Sequence, residues 1–321
     1  MSPLPQNDPL AFSARTRLLV VAPHPDDETI ATGLLIQQVR AAGGEVRIVL
    51  LTAGDNNPWP QRWLERRLLI RADDRKRWGR RRLAEMLQAM ASLDVPLSSL
   101  QSLDWPDLGI TDRLLESPHS AVAALEAAIG EFAPSLIALP SLEDRHPDHA
   151  STHVLIRLAL AGHAASPVLL AYLVHGDTCV GDDIEIVGTA SQTANKQAAL
   201  EKHRSQMALS GRRMRLLANR RECYAREIAG AASAPVTILP WRPHAWLLPW
   251  LRLSVVGPAG AQSWRWRDAP LLRDAEGRFQ LSIPCAAADA PRYARLSLDL
   301  PSPWIFDHWG WCRLSGVAGP H

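Results

Sequence analysis

The chain has 321 residues, 47% of them hydrophobic and 21% charged, and its 35 basic and 33 acidic residues leave a formal net charge of +2. This composition is too apolar for a disordered chain, and its net charge gives no reason to expect nucleic-acid binding. No apolar run reaches the ~18–20 residues that cross a bilayer, and the polar N-terminus lacks the apolar core of a signal peptide, so we expect a soluble, cytoplasmic protein.

The first part of the chain alternates short apolar runs with helical patterns. The apolar runs predict strands at 18–22, 45–51, 135–139 and 167–174. Helices are predicted at about 28–40, 80–93 and 121–132, with another that begins near His149. Such βαβ alternation predicts an α/β fold, namely a Rossmann-like, mostly parallel sheet with helices on both faces.

The sequence changes character near residue 235, where prolines and tryptophans become frequent and apolar runs shorten. Alternating patterns at 251–255 and 294–300 are typical of half-exposed strands. We therefore predict two domains, an α/β domain at 1–232 and a small Trp/Pro-rich β-type domain at 233–321. Five tryptophans there could form a sugar-stacking surface, but aromatic residues more often fill the core of a thin β-layer. They are Trp264, Trp266, Trp304, Trp309 and Trp311.

The four cysteines are scattered along the chain and none forms a C-x-x-C pair. In a chain of this length, that spacing argues against a zinc finger and predicts no disulfide framework.

Two loops combine histidine and acidic residues in the same order, His24-Pro25-Asp26-Asp27-Glu28 and His146-Pro147-Asp148-His149. Each follows a predicted strand and opens a predicted helix, so each places imidazole and carboxylate groups at the carboxyl end of a strand. A catalytic zinc ion takes about three nitrogen or oxygen ligands and keeps one open position. Aspartates that cap the two helices are the alternative, but capping explains only one acidic residue in each loop.

The segment Val21-Ala22-Pro23-His24-Pro25-Asp26-Asp27-Glu28 resembles the A-H-P-D-D-E signature of the PIG-L/LmbE family of zinc-dependent N-acetylglucosamine deacetylases. His146-Pro147-Asp148-His149 matches the H-P-D-H motif of that family. Two weaker similarities are the Arg82-Leu83-Ala84-Glu85 segment and the stretch at 196–206. The resemblance covers about residues 15–210.

This resemblance implies that His24, Asp27 and His149 are zinc ligands, although Fe²⁺ and Mn²⁺ occupy similar sites. It also implies that Asp26 is the general base and that His146 is the electrostatic or acid partner.

The same resemblance places Arg82, and less specifically Asp107, where family members contact sugar hydroxyls. The function it implies is removal of an N-acetyl group from an N-acetylglucosamine-type sugar in a glycoconjugate, with a cell-envelope saccharide or lipid-linked intermediate favoured. Alternatives are a metal amidase of a sugar-thiol or glycosylated natural product, and a non-catalytic protein that binds anionic glycans or a membrane surface.

Residues 62–82 contain nine arginines and Lys76 against three acidic residues, a local excess of +7. One hypothesis is an anionic docking face for a charged substrate or for the inner membrane surface, with nucleic acid disfavoured. The alternative is an ordinary solvated helix whose arginines pair with acidic neighbours.

Overall fold

The computed structural model describes residues 10–162, 167–176, 184–227, 237–282, 291–300 and 305–314. The chain divides into two compact units, the first comprising 1–108, 128–141 and 167–227, the second 109–127, 142–166 and 228–321. The boundary predicted between residues 232 and 233 lies outside the described residues, as do Cys179, Cys285 and Trp304, and the division into 1–232 and 233–321 stays a prediction.

The first unit contains a seven-stranded sheet with the order β3-β2-β1-β4-β5-β7-β6. Its strands are β1 (Arg17–Ala22), β2 (Glu45–Thr52), β3 (Leu100–Trp105), β4 (Leu136–Pro140), β5 (Val168–Tyr172), β6 (Ile184–Ile186) and β7 (Glu222–Glu227). The first five strands pair in parallel, whereas β7 is antiparallel to β5 and to β6. This mostly parallel sheet confirms the predicted α/β class.

Strand β1 lies at the centre of the sheet, where it pairs with β2 on one side and β4 on the other. Its residues 18–22 are fully buried, which explains why the strand reads as an unbroken apolar run. The strand order reverses between β1 and β4, and ligands of open α/β sheets bind at the carboxyl edge beside such a reversal. The segments that leave β1 and β4 therefore begin at the edge expected for a site.

Among the described residues, five α-helices lie wholly in the first unit: α1 (Asp27–Ala41), α2 (Pro58–Glu65), α3 (Ala72–Ser92), α7 (Ala190–Leu200) and α8 (Arg204–Ala218). Helix α7 contacts α1 and α3, and α2 contacts α8. Helix α3 begins eight residues earlier than predicted. Acidic residues in its first turn favour this start, since Asp74 accepts a hydrogen bond from the Arg71 backbone N–H at 3.0 Å. Helix α5 (Pro118–Phe132) includes residues of both units.

Strand β7 carries Cys223, which is disulfide-bonded, whereas Cys312 is free. The scattered cysteines were expected to form no disulfide framework, and the disulfide at Cys223 was not anticipated. Disulfides are rare in the reducing cytoplasm, so this bond gives the predicted cytoplasmic location no support.

The second unit contains helices α4 (Ile110–Glu116) and α6 (Pro147–Ala159) and two antiparallel sheets. The four-stranded sheet has the order β10-β9-β13-β14, with β9 (Leu251–Gly257), β10 (Gly260–Arg265), β13 (Tyr293–Leu298) and β14 (Gly310–Arg313). The three-stranded sheet has the order β11-β12-β8, with β8 (Thr237–Ile238), β11 (Leu271–Arg273) and β12 (Phe279–Leu281). These strands confirm the predicted β-rich C-terminal region.

Four of the five tryptophans considered for a sugar-stacking surface lie within the described residues, and they pack inward. Trp266 is 4% exposed within an apolar cluster, and Trp264 and Trp309 pack against that cluster. Trp311 is buried, and its indole N–H donates to Ser151 Oγ at 3.0 Å. These four tryptophans therefore support the core interpretation over a sugar-stacking surface. Across the described ranges, no helix has the length and apolarity to cross a membrane.

Candidate functional site

The loop between β1 and α1 holds Asp26 in a conformation that is rare for a residue with a side chain. Asp26 has φ 125° and ψ −24°, and its backbone N–H donates to Glu28 Oε2 at 2.9 Å. Non-glycine residues at positive φ cost free energy and persist when their surroundings fix them, most often at functional sites. Glu28 is fully buried, so it fixes the backbone of Asp26 from within the protein.

Arg82 binds the side chain of Asp26, whereas Glu28 binds its backbone. Arg82 NH2 donates to Asp26 Oδ2 at 3.1 Å and to the Pro25 carbonyl at 2.7 Å, and its NH1 donates to the Gly54 carbonyl at 2.6 Å. A Cβ at Gly54 would lie 1.7 Å from Arg82 NH1, so this position needs glycine. Burial raises the pKa of Asp26 to about 6, although the Arg82 charge acts to lower it.

The side chain of His24 lies between two carboxylates of the first unit. Its Nδ1 is 3.4 Å from Asp27 Oδ2, and its Nε2 is 3.3 Å from Asp107 Oδ1. Burial acts to raise the pKa of Asp107, but hydrogen bonding and charge from His24 outweigh it and lower that pKa. Asp107 also accepts from the Asn56 backbone N–H at 2.7 Å. The structure thus places Asp107, predicted to contact sugar, directly beside His24.

The two segments with weaker family similarity, 82–85 and 196–206, each form hydrogen bonds with the β1–α1 loop or α1, and they also bond to each other. His203, the N-cap residue of α8, places Nε2 3.0 Å from Glu28 Oε1. The Glu85 carboxylate accepts from the Ser205 backbone N–H at 3.0 and 3.1 Å. Burial acts to lower the pKa of His203, but the charge and hydrogen bond of Glu28 raise it overall. His203 lies within the 196–206 stretch, and its link to Glu28 could not be predicted from the sequence.

The second loop lies in the other unit and begins helix α6. His146 is the N-cap residue, and its Nδ1 accepts from the Asp148 backbone N–H at 3.3 Å. This overturns the alternative in which Asp148 caps the helix. Because the hydrogen bond needs Nδ1 without a proton, neutral His146 carries its proton on Nε2, the nitrogen that can act as donor.

Asp144 orients the buried ring of His149. Its Oδ2 lies 3.1 Å from His149 Nδ1, and its Oδ1 accepts from the His146 backbone N–H at 2.9 Å. A proton on Nδ1 leaves the Nε2 lone pair of His149 free to coordinate a metal, as is usual for metal-binding histidines. Asp144 was not predicted from the sequence, although its position five residues before His149 in the same polar loop was a usable signal.

C-terminal residues support this second loop. The Phe306 ring meets the His146 ring edge to face at 6.1 Å, and the Asp307 backbone N–H donates to the Arg145 carbonyl at 2.9 Å. Trp311 bonds to Ser151 in helix α6, as described above. The Trp/Pro-rich region therefore holds the segment that carries His146 and His149.

Each loop carries ligands suited to a divalent metal ion. The first unit offers His24 with Asp27 and Asp107, and the second offers His149, whose ring nitrogen lies within 4.8 Å of a ring nitrogen of His146. The first unit also buries the carboxylates of Asp27, Glu28 and Asp107 and mostly buries that of Asp26. Buried carboxylates are tolerated when they are paired or bind a metal. Arg82 and His203 pair with Asp26 and Glu28, whereas His24 and Asp107 belong to a group of ligand atoms close enough together to hold a metal ion.

The mostly parallel sheet, with a strained acidic loop at its central strand, is the architecture of an α/β enzyme. A family profile described as "PIG-L: GlcNAc-PI de-N-acetylase" matches residues 19–160. Residues 19–160 are therefore similar to the PIG-L family, whose profile is described as a de-N-acetylase.

Two curated relatives are 1D-myo-inositol 2-acetamido-2-deoxy-alpha-D-glucopyranoside deacetylases. The Mycolicibacterium gilvum protein is 27% identical over 236 residues, which are 60% of this chain and 82% of the relative. The Mycolicibacterium smegmatis protein is 33% identical over 170 residues, which are 49% of this chain and 57% of the relative. The chain thus spans little more than half the length of the second protein.

The fold is also found in solved structures. The N,N'-diacetylchitobiose deacetylase from Pyrococcus horikoshii is 18% identical with a TM-score of 0.51, over 66% of this chain and 84% of that protein. A deacetylase of the teicoplanin biosynthetic pathway is 20% identical with a TM-score of 0.51, over 66% of this chain and 99% of that protein. At these identities the likeness establishes the fold.

Proposed function

We propose that the protein is a zinc-dependent hydrolase that removes the acetyl group from an N-acetylglucosamine-type sugar within a glycoconjugate. The observation that carries the proposal is Asp26, a mostly buried carboxylate fixed by Glu28 and Arg82 beside the His24–Asp27 pair. The similarity to the PIG-L family and the relatives that deacetylate an acetamido-sugar support the substrate class.

His24, Asp27 and His149 are the proposed metal ligands. Strands β1 and β4 are parallel, hydrogen-bonded neighbours, so the loops that carry these residues leave the same edge of the sheet. Imidazole and carboxylate ligands suit zinc and also iron or manganese. Bound there, a divalent ion would lower the pKa of a coordinated water and polarise the acetyl carbonyl.

The remaining catalytic roles fall to side chains of the protein. Asp26 removes a proton from the water that attacks the acetyl carbon, and Arg82 keeps the carboxylate in position for that transfer. The Nε2–H of His146 donates to the oxyanion that forms on the carbonyl oxygen. The C–N bond then breaks as protonated Asp26 gives its proton to the nitrogen, which yields acetate and the free amino sugar and returns Asp26 to its ionised form.

An acetate-release screen over N-acetylglucosamine glycoconjugates, together with metal analysis of the purified protein, tests the proposal. The screen should include lipid-linked, cell-envelope and inositol- or thiol-linked sugars. We expect one class to release acetate with loss of activity after chelation and recovery with Zn²⁺. A protein that carries metal yet releases no acetate from any class would contradict the proposed activity.

A further inference from the structure

A second surface of the first unit exposes large apolar side chains next to arginines. It consists of Trp59, Arg62, Trp63 and Leu64 on α2, Arg66, Arg67 and Leu68 in the following loop, and Leu209 on α8. We call this surface the arginine–tryptophan face. These residues line an open groove of about 720 Å³, within the ~300–1,000 Å³ range of ligand clefts.

The exposure of these apolar side chains is unusual for a water-facing surface. Trp59 and Trp63 are each 66% exposed and lie one helical turn apart, so they share one side of α2. Leu68 is 87% exposed and the adjacent Leu69 is 77% exposed. Contiguous exposed apolar groups bordered by polar ones mark interaction surfaces. Some partner should therefore cover them.

The charge around the face is basic. Helix α8 contains four arginines and no acidic residue, and it contacts α2. The Arg62 guanidinium stacks on the Trp59 ring with Cζ 5.0 Å from the ring centroid. Within the described part of the chain, neither Arg62 nor Arg66 has an ion-pair partner. By contrast, Arg77 on α3 pairs with Glu65 and Asp74. Arg67 on the face also pairs with Asp74, so the unpaired positive charge of the face lies at Arg62 and Arg66.

We propose that the arginine–tryptophan face docks on an anionic phospholipid bilayer. Tryptophan rings favour the boundary between lipid headgroups and acyl chains, leucines enter the apolar layer, and arginines bind the headgroup phosphates. A second copy of the chain would bring like charges together. Nucleic acid would leave Leu68 and Leu69 without an apolar partner. The proposal does not depend on the deacetylase activity.

Vesicle co-sedimentation tests the proposal, with phosphatidylcholine vesicles containing 30% phosphatidylglycerol compared with phosphatidylcholine alone. We expect wild type to bind the anionic vesicles at least tenfold more tightly, with weaker binding in high salt. Two triple variants should each lose tenfold or more, namely Trp59→Ser/Trp63→Ser/Leu68→Ser and Arg62→Gln/Arg66→Gln/Arg67→Gln. Circular dichroism and thermal unfolding confirm that both variants are folded.

The matched control is Arg75→Gln/Lys76→Gln/Arg80→Gln, which removes the same charge from exposed positions on α3. We expect it to retain binding within threefold of wild type. No preference of wild type for anionic vesicles, or an equal loss in the control, would overturn the proposal. Retention of vesicle binding by the Trp59→Ser/Trp63→Ser/Leu68→Ser variant would also overturn it. In that case, binding of the protein to heparin would show that the surface attracts anions by charge alone.

Discussion

Arg82 NH2 donates to Asp26 Oδ2 at 3.1 Å, and the same nitrogen donates to the Pro25 carbonyl one residue earlier. One buried guanidinium thus fixes both the backbone and the side chain of the proposed base. The resemblance to family members assigned Arg82 to sugar contact. Since NH1 and NH2 both bond within the protein, we infer that Arg82 positions Asp26.

Replacement of Arg82 by lysine separates these two roles. Lysine keeps the charge but cannot donate in a planar fork, and unsatisfied buried carbonyls cost about 1–3 kcal/mol each. We expect Arg82→Lys to lower kcat by 10- to 100-fold and to change KM by less than threefold. Arg80→Gln, at an exposed position on the same helix, is the control. A rise in KM with unchanged kcat would support sugar contact instead.

The buried pair of His203 and Glu28 predicts a pH-dependent contribution to stability. The folded state raises the pKa of His203, so the stabilisation is complete below the unfolded pKa, ~6.5, and is lost as pH rises through the folded value. We expect His203→Gln to lower the free energy of unfolding by on the order of 3 kcal/mol at pH 6, and by less at pH 9.

Urea unfolding of the chelated wild type and His203→Gln proteins at both pH values measures this difference. Lys202→Gln, which changes the adjacent half-buried residue, serves as the control. A stability difference that is the same at pH 6 and pH 9, or larger at pH 9, would show that the His203–Glu28 charge interaction has been misjudged.

The hydrogen bond between Asp144 and His149 leads us to expect a smaller loss of zinc affinity from a change at Asp144 than from a change at His149. Loss of a carboxylate that orients a ligating histidine typically weakens metal binding 10- to 100-fold. We expect this loss for Asp144→Asn, and a complete loss of stoichiometric zinc for His149→Ala. Zinc content after dialysis and a competition titration with a chromophoric chelator provide the measurements. His119→Ala, at an exposed position, should keep wild-type affinity, and normal zinc affinity in Asp144→Asn would argue against His149 as a ligand.

The hydrogen bond from Trp311 to Ser151 leads us to expect that the C-terminal region stabilises helix α6 and the loop before it. The Trp311→Phe variant loses the indole bond to the buried Ser151 and should lower the free energy of unfolding by about 1–3 kcal/mol. We also expect a smaller kcat at unchanged KM, because helix α6 carries His149. Trp309→Phe, half-buried and without a comparable described bond, is the control. Equal effects from both variants would indicate general packing.

The central strands could be predicted because buried parallel strands are continuous apolar runs, as at 18–22 in β1. Strand β3 was missed because it lies at the sheet edge and reads Leu-Gln-Ser-Leu-Asp-Trp, with little of an apolar run. Local spacing was enough to single out His24 and Asp26 as candidate site residues, while their proposed roles come from the family resemblance. The bond from His203 to Glu28 joins positions 175 residues apart, and no local pattern reports such a contact.

Substitution of Asp26 by asparagine tests the central claim most directly. Asparagine keeps the size of the side chain but cannot accept a proton from water at neutral pH. Acetate release and zinc content should be measured on the same preparation, with a substrate identified by the screen. The account predicts normal zinc stoichiometry and a fall in kcat of about 10²- to 10⁴-fold. Full turnover by the zinc-loaded variant would show that Asp26 is not the base.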